Sequence, residues 1–108
     1  MQLEVLYVPD CPQVSLLLKA LERVTRLPVT TTMIDSVEGA ASRGMTGSPT
    51  LLIDDEDAFP PTEQQQRAGG LACRIYRDRF GRPAPVPTLD QLRDAIAERS
   101  PFPRAYLR

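Results

Sequence analysis

The stretch Leu3–Leu18, LEVLYVPDCPQVSLLL, decides how the chain folds. Leu3, Val5 and Tyr7 point to one face of an extended strand and Leu6 and Val8 to the other. Both faces therefore carry apolar weight, as in a central strand of an α/β sheet. Pro9 stops the strand by removing a ladder N–H, and Asp10 suits the turn that follows. Pro12 fits the first position of a helix, where its missing N–H costs nothing, which makes Cys11 the N-cap. There the sulfur faces unpaired backbone amides and the positive end of a helix dipole, an environment that favours thiolate over thiol and a reactive cysteine. The competing reading is that Cys11 is a small buried hydrophobe that caps a helix by position alone.

Outward from this stretch, apolar residues at Val14, Leu17, Leu18, Leu21 and Val24 recur at spacings of three and four. They predict a helix over 12–26 with Leu16 off its buried stripe and Pro28 beyond its end. Val29–Asp35 is β-branched and predicts a second strand, parallel to the first because a helix separates them. Its run Thr30, Thr31 and Thr32 places it at a sheet edge. Asp35 or Ser36 caps a short helix through Arg43. Gly44, Gly47 and Pro49 then break the chain before a third strand, Thr50–Asp54, which is apolar on both faces. An acidic turn over 54–56 leads to a short returning strand over 57–60. Polar and prolyl residues up to the Gly69-Gly70 pair read as a mobile loop, either filler or a lid.

From Leu71 to Phe80 the preferred reading is a short helix, followed by a prolyl linker over 81–87. Thr88 and Gln91 form a capping-box pattern for a last helix through Arg99, with Leu89, Leu92, Ala95 and Ile96 on its apolar face. The tail over 100–108 carries Phe102, Tyr106 and Leu107, apolar enough to dock on the body or on a second copy as a homodimer.

With 108 residues the expectation is one domain with a modest core. The net charge of −1 and a pI near 5.4 argue against electrostatic partnership with nucleic acid or an anionic membrane. Basic residues gather from Arg74 to Arg82, where they also serve to solvate a surface. The sequence contains no histidine, which excludes a histidine base and histidine metal ligation. No apolar run approaches the roughly 20 residues of a membrane helix, and MQLEVLYV has no basic leader pattern, so a cytoplasmic location is expected. Two cysteines, Cys11 and Cys73, are too few for a disulfide scaffold or a structural zinc site. No cofactor and no resident metal is expected.

The order of elements, with Cys11-Pro12 after the first strand and Gly47-Ser48-Pro49-Thr50 before the third, resembles the thioredoxin-like family and its small, glutaredoxin-sized members. The resemblance implies an α/β fold: a single thioredoxin-like domain over 1–108 with a central four-stranded mixed sheet flanked by helices. It also implies that the third strand is antiparallel to the first and that Pro49 is cis and set against the Cys11 sulfur. The proline ring would leave the backbone before it free to pair with an extended thiol-bearing substrate.

The family's dithiol motif is absent, because Cys11-Pro12-Gln13-Val14 places valine where a resolving cysteine would stand. A monothiol mechanism remains open, in which Cys11 attacks a mixed disulfide or related sulfur and a second thiol releases it. Cys73 is the candidate for that thiol, since Gly69-Gly70 ahead of it is similar to the Gly-Gly turn that leads into a helix near the glutathione site of glutaredoxins. A buried, structural Cys73 is the alternative. The pattern LxCRxY followed by PTxxQLRxAI is also similar to small bacterial thioredoxin-like proteins sometimes labelled alkylmercury lyases.

The expected site therefore comprises Cys11 and Cys73 as thiols and Pro12, Ser48, Pro49 and Thr50 as the groove. Its expected partner is a thiol- or disulfide-bearing small molecule or protein. Two further readings stand beside it: a non-catalytic module holding Hg(II) or Cu(I) between two thiolates, and a structural Cys11–Cys73 disulfide.

Overall fold

The computed structural model describes residues 1–68 and 70–99. Its central sheet begins with β1 (Leu3–Tyr7), which pairs in parallel with β2 (Val29–Met33) and antiparallel with β3 (Thr50–Ile53). The two-residue β4 (Glu56–Asp57) closes the other edge, giving the order β2-β1-β3-β4. The expected four-stranded mixed sheet is therefore present. β1 lies inside it, and the threonine-rich β2 forms an edge with Thr30 and Thr31 exposed.

Because side chains alternate along β1, each face of the sheet receives its own core. Leu3 and Val5 pack with Leu51 and Ile53 against α1 (Gln13–Val24) and α4 (Leu89–Arg99), meeting Leu17, Leu21, Val24, Leu92 and Ile96. Leu6 and Leu52 point the other way, onto Ile34, Ala40 and Met45 around α2 (Val37–Ser42). The helices thus cover both faces, and β3 is buried along its whole length. Ser36 caps α2 by accepting the Gly39 N–H at 3.0 Å. Thr88 and Gln91 form the reciprocal capping box of α4 at 2.9 and 3.1 Å. No helix among the described residues is long and apolar enough to cross a membrane.

Three expectations are corrected. Cys11 is not the N-cap of α1: Pro12 occupies that position in helical conformation. Asp10 takes a left-handed φ of 61°, and the Cys11 N–H donates to Val8 O at 3.3 Å. These two residues complete a turn, which delays the helix until Gln13. The segment before Gly69 is not all loop, because α3 (Glu63–Ala68) forms there, and Thr62 and Gln65 exchange hydrogen bonds at its start.

Residues 71–80 contain no helix. Cys73 forms an isolated bridge with Ser48, and β5 (Tyr76–Arg77) pairs with β6 (Pro83–Ala84), so the expected linker is half of a small hairpin. The cause is an inverted pattern in which Arg74 and Tyr76 point inward and Cys73, Ile75 and Arg77 point out. Gly69, and the tail with Phe102, Tyr106 and Leu107 and its proposed docking, lie outside the described residues.

Candidate functional site

The site is assembled by strand register. Leu6 pairs with Thr50 across β1 and β3, so two residues further along each strand Val8 faces Ser48. There the Val8 N–H donates to Ser48 Oγ at 3.0 Å. The turn that holds Cys11 starts at Val8, and the Ser48–Pro49 peptide at the head of β3 lies beside it in the cis form. Thr50 is fully buried, and its hydroxyl donates back to Gly47 O at 2.6 Å, which fixes the bend ahead of β3.

Cys11 is 9% exposed and borders solvent more closely than the core leucines, which are sealed. Its Sγ donates to Gln13 Oε1 at a long 3.7 Å, so the sulfur meets a side-chain amide on the first turn of α1. The expectation of a sulfur that sits at the helix cap and collects backbone N–H groups is replaced by this arrangement. Pro12 is exposed at the rim.

Cys73 is exposed, and Cys11 and Cys73 are not bonded to each other in this structure. The alternative of a buried, structural Cys73 fails because the residue is exposed. Cys73 reaches the site along an extended path rather than on a helix. Ser48 N–H donates to Ala72 O at 2.9 Å and Arg74 N–H to Ser48 O at 3.0 Å. The backbone ahead of Pro49 is therefore already paired, contrary to the expectation of a free edge. Cys73 and Gln13 line one shallow cleft of about 270 Å³ with Pro83, Ala84 and Pro85. A neighbouring cleft of about 390 Å³ on the other side of Cys73 is bounded by Thr46, Thr62, Gln65 and Arg77.

Behind Cys73 stands a network that sequence reasoning missed. The Arg74 side chain is 2% exposed and ion-paired with Asp57 at 2.8 Å. Its Nη1 also donates to Thr50 Oγ1 at 3.1 Å, and its Nη2 to Asp57 Oδ1 at 3.3 Å and to Phe59 O. Nε has no partner among the described residues. The guanidinium lies 4.7 Å from the centroid of the Tyr76 ring. Tyr76 donates its hydroxyl to Pro49 O, and Phe59 packs edge-on against its ring at 5.8 Å. Burial pushes the Tyr76 phenol well above its usual range; the Arg74 cation opposes this, while Asp57 and Cys11 add to it. Gly47 completes the anchor, because a Cβ there would stand 2.7 Å from Arg74 Cβ. The signal available in the sequence was the two-residue spacing of Arg74 and Tyr76, which hydropathy scores as polar.

Thus Cys11, Ser48, Pro49 and Thr50 converge on the end of β1, and Cys73 joins them through Ser48. Among the described residues no group of three or more Cys, Asp or Glu side chains is arranged to hold a metal ion. The chain matches no family model, no curated protein and no solved structure, so the reading of this site rests on its own geometry.

Proposed function

We propose that the chain is a thioredoxin-like thiol oxidoreductase in which Cys11 is the attacking thiol and Cys73 resolves it. The observation that carries the reading is the juxtaposition at Ser48–Pro49. One side of this corner faces the turn that holds Cys11, and the other pairs with the Cys73 backbone. The resemblance noted from Cys11-Pro12 and Ser48-Pro49-Thr50 agrees with the antiparallel β1–β3 pairing and with the cis Ser48–Pro49 bond.

In the proposed reaction the Cys11 thiolate forms a bond to one sulfur of a substrate disulfide, whose S–S bond breaks. The departing thiolate takes up a proton and leaves. The Cys73 thiolate then attacks the Cys11 sulfur, forming Cys11–Cys73 and releasing the second substrate thiol. The substrate gains two electrons and the cysteine pair loses them. Two equivalents of a small thiol return the protein to its reduced state.

Counting released thiols and weighing the protein product together test the scheme. Reduced wild-type protein mixed with excess bis(2-hydroxyethyl) disulfide releases two thiols per chain and ends as an internal disulfide. Cys73→Ser releases one and retains an adduct on Cys11. Wild type that also releases two thiols but ends with two separate adducts and no internal disulfide removes Cys73 from the mechanism.

A further inference from the structure

An extended peptide held through its main chain pairs with a free backbone edge. The edge at this site is Ser48, and both of its main-chain groups are taken. Its N–H donates to Ala72 O at 2.9 Å and its C=O accepts from Arg74 N–H at 3.0 Å. The segment 72–74 therefore lies where an extended chain would pair, in the parallel sense, with Cys73 opposite Ser48.

This strap is not loosely held. Arg74 anchors it from beneath through Asp57, Thr50 and Phe59, with only 2% of the side chain exposed. Gly47 allows the strap to approach so closely that no Cβ fits between them. Beyond the strap, the opening shared by Gln13 and Cys73 is a shallow cleft of about 270 Å³. This cleft and its neighbour of about 390 Å³ lie at or below the low end of the range of about 300–1,000 Å³ typical of drug-sized ligand sites, so both suit a small molecule.

We infer that the site acts on low-molecular-weight disulfides and that the strap 72–74 excludes extended peptide disulfides. The inference rests on the proposed role of Cys11 and names the substrate class of that site. A peptide must displace two backbone hydrogen bonds and unseat a buried, ion-paired arginine, whereas a small disulfide enters beside Gln13 and leaves the strap in place.

The test uses full-length Cys73→Ser protein, so that only Cys11 reacts. Two probes with the same leaving thiol are compared by mass spectrometry: bis(2-hydroxyethyl) disulfide, and an unstructured peptide whose central cysteine carries the 2-hydroxyethyl mixed disulfide. Each rate is divided by that probe's rate with free cysteine. The small probe is expected to be faster by about tenfold or more, the scale set by two displaced hydrogen bonds. Gly47→Ala, which pushes Arg74 away from Ser48, is expected to narrow the ratio, with folding checked by circular dichroism.

Equal rates in the Cys73→Ser protein, or a faster peptide, overturn the inference while leaving Cys11 a nucleophile. Reaction of Cys11 with neither probe overturns the underlying reading of the site. An unchanged ratio in folded Gly47→Ala overturns the role of the strap.

Discussion

Asp57→Ala probes the anchor beneath Cys73. The carboxylate is 13% exposed and pairs with an Arg74 side chain that is 2% exposed, so the substitution strands a cation in a nearly dry site. Breaking a buried pair from one side costs about 3–5 kcal/mol. Thr50 Oγ1 and Phe59 O still accept from the guanidinium, which places the expected loss near the lower end, about 3 kcal/mol. For a domain of this size that lowers the thermal midpoint by roughly 15 °C. Urea unfolding followed by circular dichroism measures the loss, and the double variant Asp57→Leu/Arg74→Met supplies the control. With the cation also gone, the double variant should recover most of the lost stability, as apolar replacements of buried pairs commonly do. If Asp57→Ala costs less than about 1 kcal/mol, or if the double variant is no more stable than Asp57→Ala, Arg74 is not anchored by its pairing with Asp57.

Leu17→Ala, at a fully buried position of α1, should cost about 2–5 kcal/mol in the same assay, whereas its neighbour Leu16→Ala, 47% exposed, should stay within about 0.5 kcal/mol. Thr88→Ala removes the oxygen that accepts Gln91 N–H at 3.1 Å and should lower stability by about 1 kcal/mol. Burial raises the Tyr76 phenol, so its contribution to stability is complete below about pH 10, the unfolded value. It declines as pH climbs further, because the unfolded chain loses the proton first while the folded phenol keeps it. The stability advantage of wild type over Tyr76→Phe should therefore shrink between about pH 10 and 11; an advantage that grows with pH contradicts the assignment.

The parts of the fold that follow period rules were legible in the residues. β1, with apolar side chains on both faces, proved an inner strand, and the Thr30–Thr32 run marked the edge. The α1 stripe and the Thr88–Gln91 box need only local chemistry, and both formed. What failed depends on partners distant in sequence. Residues 72–76 are extended because Ser48, Asp57 and Pro49 receive Cys73, Arg74 and Tyr76, separations that no local pattern announces. At the site, Pro12 displaced Cys11 from the helix cap because Asp10 adopts a left-handed conformation, a choice that a Pro-Asp-Cys-Pro string leaves open. The resemblance implies Cys73 on a helix near the site, whereas an extended strap bridged to Ser48 carries it.

The most direct measurement is the identity of the first sulfur to react. Native, reduced protein is exposed briefly to a small disulfide, quenched in acid and digested, and the fragments that hold Cys11 and Cys73 are weighed. The account predicts an early adduct on Cys11, despite its 9% exposure, that gives way to a Cys11–Cys73 disulfide. An adduct on exposed Cys73 alone, with Cys11 silent until denaturant is added, would make Cys11 a core residue and contradict the account.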